Sequence, residues 1–400
     1  MAVAGIVAEY NPLHGGHLGQ LEQTRARLGA DTAAVCVMSG DFVQRGDFAL
    51  LGRHARAEAA VRSGADLVVE LPLPWAAASA ERFADGAVQA LAATGVVTHL
   101  SFGSECGDAP ALRRAAAALE DSAFPPLLRE ELAAGDSFAA ARQRALARLA
   151  GQDASVLDHP NDILGVEYCR CLVRRRWEAE VLAIPRQGAA HDGEEQDGTA
   201  SAAAIRGLLA AGERQRALDC MAPAMAAIFF REEAAGRAPV FAANCQRAIL
   251  ARLRGMSDGE LEALDTGGEG LGNRFRAAVR TAPTLAVLLE SARTKRYAAA
   301  RIRRMALWGY LGLRPAQLPS QLPYLRVLAA NERGRALLAR MRRTASLPVV
   351  TKPASVRRLP APARELFAME ARAADLYALA YPDLAAAAGG AAWTTGPIMV

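Results

Sequence analysis

Val3-Ala4-Gly5-Ile6-Val7-Ala8-Glu9-Tyr10-Asn11-Pro12-Leu13-His14-Gly15-Gly16-His17 is the stretch on which the fold turns. Residues 3–8 are apolar or small without polar alternation, the pattern of a strand covered on both faces. A polar turn follows, and then two histidines three apart, separated by two glycines, open a helical segment over 16–28. Gly15 and Gly16 remove side chains where a phosphate must approach the backbone. The free N–H groups of a helix start, with imidazole donors beside them, suit charge developing on an α-phosphate. The competing reading is that His14 and His17 only cap and pack the helix.

Working outward, the same kind of apolar run recurs at 32–38, 66–71, 96–102 and 181–184, with Ala-rich helical patterns at 53–62 and 80–93. This β-α-β-α alternation predicts an α/β fold, a Rossmann-like layered domain on a parallel sheet. Ligands in such sheets sit beyond the carboxyl ends of the strands, which directs attention to the loops starting at Glu9, Ser39, Pro72 and Gly103. After about residue 215 strand-like runs nearly vanish. The expected organisation is a catalytic domain over 1–220, a helical basic domain over 221–360 joined near 232–239, and a C-terminal helix with a low-complexity tail over 361–400.

Composition narrows the class. A 400-residue chain at 52% apolar content can bury a sizeable core. No run of eighteen apolar residues occurs, and Met1-Ala2-Val3-Ala4 lacks the basic flank of a secretory signal, so a cytoplasmic protein without a membrane span is expected. The six cysteines show neither metal-ligand spacing nor disulfide density; Cys169 and Cys171, two apart on a helical pattern, point away from each other. No metal site is expected from the side chains.

Charge is distributed unevenly. Residues 271–360 hold 19 Lys+Arg against 2 Asp+Glu, whereas the rest of the chain is net acidic. On a helix, Arg293, Arg296, Arg303 and Arg304 fall on one stripe that could follow a phosphate backbone. Tyr297, Trp308, Tyr310 and Tyr324 are interleaved, either as stacking platforms for a single-stranded RNA loop or as core. The Gln44-Arg45-Gly46 loop after the second strand either brings a guanidinium to a small acid or RNA, or is a surface turn.

The histidine motif resembles the HxGH signature of the adenylyltransferase and class I aminoacyl-tRNA synthetase superfamily. Further segments are similar to the bacterial tRNA(Met) cytidine acetate ligase family: Gly5 through Pro12, Ser39-Gly40-Asp41-Phe42-Val43-Gln44-Arg45-Gly46, Phe102-Gly103-Ser104-Glu105, Pro160-Asn161-Asp162-Ile163-Leu164, Ser201 through Arg206, Glu269-Gly270-Leu271-Gly272-Asn273-Arg274, Thr294-Lys295-Arg296-Tyr297, Arg301-Ile302-Arg303-Arg304 and Pro323-Tyr324-Leu325-Arg326-Val327-Leu328. The resemblance implies a HUP/HIGH-type nucleotidyltransferase domain followed by an α-helical domain. It implies a ligase that forms acetyl-adenylate from acetate and ATP and passes the acetyl group to the wobble cytidine of elongator tRNA(Met), giving N4-acetylcytidine.

By the same resemblance, Val7, Ala8, Glu9, Tyr10, Asn11, Pro12, Leu13, His14, Gly15, Gly16, His17, Leu18, Gly19 and Gln20 contact ATP, and Gly103, Asn161 and Arg186 complete the pocket. His14, His17 and Arg206 are the expected catalytic residues, with Ser201 capping the helix that carries Arg206 after the loop 188–198. Chemistry agrees in kind: a strand-end glycine permits close approach, Asn offers donor and acceptor, and Arg supplies a fixed cation. Each also has a plain alternative as a turn, a helix cap or a solvated side chain. The sequence departs from the family at Ala203, Gly52-Arg53, Leu13 and Gly15, where Thr, Asp-Lys, Phe and Asn are commoner. Mg²⁺ is expected with the triphosphate. A small-molecule adenylyltransferase and a noncatalytic RNA-binding protein are the competing functions.

Overall fold

The computed structural model describes residues 2–135, 137–186, 200–267, 270–294 and 297–400. The opening run is strand β1 (Val3–Ala8), followed by helix α1 (Gly15–Leu28). The chain then alternates through β2 (Ala33–Ser39), α2 (Arg53–Arg62), β3 (Leu67–Leu71), α3 (Ala80–Ala93) and β4 (His99–Ser104). Further helices lead to α4 (Pro160–Arg175), β5 (Glu180–Pro185) and α5 (Ala202–Ala210). These five strands are parallel, in the order β3-β2-β1-β4-β5. Every residue of β2 and β3 is buried, because helices cover both faces. The strand order reverses between β1 and β4, which opens a crevice at their carboxyl ends.

Beyond the parallel strands the structure departs from the reading above. Strand β6 (Leu325–Ala330) pairs antiparallel with β3, and two short strands, β7 (Val349–Val350) and β8 (Ile398–Met399), both pair with β6. Residues 325–330 therefore return to the sheet from the region expected to be helical, and the tail ends in it. Arg326 hid this strand, because a charge in mid-run suggests a solvated face. Here it is buried, with its guanidinium 4.9 Å from the Phe367 ring and 3.5 Å from Glu70. Trp393 of the tail packs on the same Phe367 at 4.6 Å between ring centroids, so the tail is held.

The helical region includes Gln246–Arg254, Leu271–Thr281, Leu285–Ala292 and α6 (Ala299–Leu311), packed about Leu253, Phe275, Leu288 and Ile302. Its core continues without a break into Phe42 and Phe48 and into Tyr377 of α7 (Ala361–Ala378). Among the described residues, no helix is long and apolar enough to cross a membrane.

Candidate nucleotide-binding site

A cleft of about 540 Å³ lies beyond the carboxyl ends of β1 and β4. Its walls come from the loop after β1, the hairpin Phe42–Val43/Asp47–Phe48, the end of β4, the first turns of α4 and α5, Arg186 after β5, and Arg303 of α6.

Buried polar contacts fix the loop after β1. Arg56, fully buried on α2, donates to the carbonyls of Leu51 (2.9 Å), Glu9, Ser39 (3.0 Å) and Gly40, tying the ends of β1 and β2 together. Asn11 Oδ1 accepts from Leu50 N at 2.7 Å and from Arg206 Nη1 at 3.2 Å. Ala222 N donates to Leu13 O at 3.0 Å, and the Leu13 side chain is wholly in the core, as suits a hydrophobic residue substituting for the commoner Phe.

His14 is the N-cap of α1. Its Nδ1 accepts from Gly16 N at 3.1 Å, while His17 Nδ1 accepts from His14 N at 3.3 Å, a reciprocal capping box made of imidazoles. A Cβ on Gly16 would lie 3.0 Å from His14 Cε1, so glycine leaves the ring its place. The two rings stand 4.0 Å apart between centroids. Burial pulls His14 down to about 4, with the Arg186 charge adding to it. His17 lies well below its ordinary value, through burial first and then His14 and Arg186. Both rings are therefore neutral near pH 7. With Nδ1 occupied as an acceptor, the proton resides on Nε2, the free edge of each ring. Capping and phosphate donation, posed as alternatives by the sequence, are compatible because they use opposite ring nitrogens.

Arg206 reaches the cleft from α5, whose N-cap is Ser201. Its guanidinium is already engaged: Nη2 meets Asp47 Oδ2 at 2.6 Å, and Nη1 donates to Phe48 O at 3.0 Å and to Asn11. It therefore buttresses the hairpin against the β1 loop. Arg186 is exposed and makes no ion pair among the described residues; its stem lies over Gly103, where a Cβ would come 3.4 Å from Arg186 Cγ.

The Gln44-Arg45-Gly46 loop is more than a surface turn. Gln44 N donates to Glu9 Oε1 at 2.8 Å, and burial raises the Glu9 carboxyl against that bond and the nearby Arg56, Arg45 and Arg206 charges. Gly46 has φ +77°, and a Cβ there would lie 2.4 Å from Arg304 N. Arg303 Nε donates to Arg45 O at 3.1 Å and Arg304 Nη1 to Gln44 O at 3.2 Å. Arg304 is pushed down to about 10 by burial and by Arg301 and Arg303.

These contacts correct the expected arginine stripe. α6 begins at Ala299, Arg293 follows the preceding helix, and Arg303 and Arg304 face the hairpin; Lys295 and Arg296 lie outside the described residues, as do Glu269 and the loop 188–198. The extended backbone at Arg293 and Ala298 breaks the helix with neither Gly nor Pro to announce it. Tyr297, Trp308, Tyr310 and Tyr324 are all buried, so they are core.

Of the residues expected at the nucleotide, Val7, Ala8, Glu9, Tyr10, Asn11, His14, His17, Gln20, Gly103, Asn161, Arg186 and Arg206 line the cleft. Pro12, Leu13, Gly15, Gly16, Leu18 and Gly19 do not; they shape the turn and the first helical turns behind it. Sequence reasoning missed Asp47 and the apolar wall of Phe83, Phe102, Ile163, Leu164 and Tyr168. The family-like segment after Pro160 contained two of these, but helical spacing alone gave them no distinction from core. Among the described residues, no group of three or more His, Cys, Asp or Glu could hold a metal ion.

Comparisons with known proteins agree with this geometry. The HIGH Nucleotidyl Transferase family profile matches residues 1–390. A tRNA(Met) cytidine acetate ligase from Syntrophomonas wolfei is 36% identical, covering 100% of this chain and 99% of that protein. One from Acetivibrio thermocellus is 35% identical over 100% of both. Among solved structures, Thermotoga maritima TmcAL without ligand superposes with a TM-score of 0.93 at 34% identity, covering 100% of both chains. The same protein bound with alpha-thio ATP gives 0.91 at 34% identity, covering 100% of this chain and 99% of that one.

Proposed function

The chain belongs to the HIGH nucleotidyl transferases and, within them, to the tRNA(Met) cytidine acetate ligases, and from that premise we propose how its cleft works. The protein is an ATP-dependent acetate ligase. The observation that carries the reading is the pair of neutral imidazoles at the start of α1, each with Nδ1 bound to backbone and Nε2–H left for a ligand.

In the first step an acetate oxygen attacks the α-phosphorus of ATP, the bond to the β-phosphate oxygen breaks, and pyrophosphate leaves with the electron pair. Charge grows on the non-bridging α-phosphate oxygens, and the His14 and His17 Nε2–H donors stabilise it without a proton changing owner. Arg186 supplies positive charge at the same end of the cleft, while Arg206, already paired with Asp47, holds the wall. Mg²⁺ enters with the triphosphate as part of the substrate. In the second step the exocyclic amine of the wobble cytidine of elongator tRNA(Met) attacks the acetyl carbonyl. A C–N bond forms, the mixed anhydride breaks, AMP departs and the amine loses one proton, leaving N4-acetylcytidine. No covalent enzyme intermediate is needed, because the anhydride is activated and the amine has only to be positioned.

The tRNA approaches from the helical side, whose Arg303 reaches the cleft rim. The reaction takes place in the cytoplasm, where tRNA is modified. Acetate-dependent ATP/pyrophosphate exchange, followed by nucleoside analysis of tRNA(Met), tests the proposal. Exchange that needs a different acid, or adenylation with no acetyl transfer to tRNA, would reject it.

A further inference from the structure

Helix α4 begins without a cap of its own, since its N-cap His159 makes no side-chain hydrogen bond. Glu105, from the loop after β4, supplies what is missing. Its Oε1 accepts from Asn161 N at 3.3 Å and from Asn161 Nδ2 at 2.5 Å, and its Oε2 accepts from Asp162 N at 2.9 Å. Asp162 returns the contact: Oδ1 accepts from Glu105 N at 3.0 Å and from the Ser104 hydroxyl at 2.5 Å, and Oδ2 accepts from Cys106 N at 3.0 Å. Two carboxylates thus lock the end of β4 to the start of α4.

The clasp fixes more than backbone. A carboxylate can only accept, so the Asn161 amide must turn its NH₂ toward Glu105. Asn161 lines the cleft and Glu105 does not, which leaves Oδ1 as the group facing the cavity. The lining beside it is apolar and aromatic: Ile163, Leu164 and Tyr168 share α4 with Asn161, and Phe102 packs against Tyr168 at 5.4 Å between ring centroids. A purine suits that wall, with the phosphates toward the imidazoles of His14 and His17.

We infer that Glu105 is a positioning residue which holds the Asn161 carbonyl oxygen toward the purine 6-position, so that the site selects an adenine over a 6-oxopurine. The adenine amino group donates to Oδ1; the O6 of hypoxanthine or guanine would oppose it with a second acceptor. The inference rests on the ATP-dependent reading of the site. Asn161 is the contact and Glu105 acts through it.

The test uses the full-length enzyme in acetate-dependent pyrophosphate exchange with ATP and with ITP, which differ only at the purine 6-substituent and the N1 proton that goes with it. The parent should favour ATP by roughly a hundred-fold or more in kcat/KM, as a mismatched hydrogen-bonding edge demands. N161A should lose most of that ratio. E105Q should lower it about ten-fold or more, because a Gln amide that keeps an acceptor on Asp162 N presents NH₂ to Asn161 and turns its amide over. E105A, which releases the amide altogether, should do the same. A purely structural role would lower exchange with both nucleotides equally and leave the ratio unmoved. Equal use of ATP and ITP by the parent would overturn the inference while leaving the acetate ligase reading intact. So would an unchanged ratio in folded N161A, as expected if Asn161 meets ribose, or in both Glu105 variants. Absence of exchange with ATP in the parent would instead refute the underlying reading.

Discussion

Replacing His14 removes the cap that the structure shows on one side of the ring and the phosphate donor that the proposed mechanism places on the other. Nδ1 caps α1 through Gly16 N, a contact whose loss costs about 1 kcal/mol of stability. In the proposed mechanism Nε2–H donates to the α-phosphate, and a donor aimed at developing charge is worth about 2.7–4 kcal/mol, or about 10²–10³ in rate. H14A loses both. H14N keeps a good cap, because Asn is among the preferred N-cap residues, but has no donor at the outer edge of the imidazole. Urea unfolding should therefore place H14N within about 0.5 kcal/mol of the parent and H14A about 1 kcal/mol lower. Acetate-dependent exchange should fall about 10²–10³-fold in both variants. H14N exchanging within about ten-fold of the parent would mean that the ring serves only as a cap, and the catalytic assignment would fail.

Acid should destabilise the fold through the same residue. His14 titrates at about 4 when folded, below the 6.5 of a free imidazole, so the unfolded chain takes the proton first. Stability is full above pH 6.5 and is lost as pH falls toward 4, by up to about 3 kcal/mol. Urea midpoints measured across that window should fall less steeply in H14N; identical slopes would remove His14 as the cause. R56M orphans four carbonyls, three at the ends of β1 and β2 and that of Leu51 before α2, at about 1–3 kcal/mol each, and should cost at least about 4 kcal/mol, read by urea unfolding; a loss under about 1 kcal/mol would show those carbonyls find other partners. Arg274 and Arg293 are exposed on the helical region, and the double variant R274E/R293E should weaken tRNA binding and reduce its salt slope by about 1–2, with ATP exchange unchanged. An unaltered slope would place the RNA elsewhere.

The parallel half of the fold was legible because its strands carry short apolar runs, interrupted only by single polar residues such as Glu70 and Ser101, with helical patterns between them, and local periodicity reports that arrangement directly. The histidine site was legible for a related reason: strand, glycines and histidines are contiguous, so sequence spacing is spatial spacing. What escaped depends on distant partners. β6 joins the sheet beside β3 across more than two hundred intervening residues, and its buried Arg326 makes sense only once Glu70 and Phe367 are beside it. Arg206 lines the cleft, yet its engagement with Asp47 could not be read from either segment alone. The buried tyrosines and Trp308 had the spacing of either a core or a stacking surface, and only packing decided between them. Glu105 stood in a quoted family-like segment with no role, since its partner lies 56 residues away.

The antiparallel placement of β6 has a consequence for how the chain is made. Translation delivers all five parallel strands by residue 185, but the neighbour that closes the outer edge of β3 arrives only at 325–330. Through that interval Val68 and Val69 present open backbone groups on one side, an adhesive rim of the kind that recruits other chains. A fragment ending at residue 220 should therefore become turbid where the whole protein stays clear. Supplying a peptide spanning 323–332 should suppress the light scattering, and no effect of that peptide would show that the rim is guarded by something else.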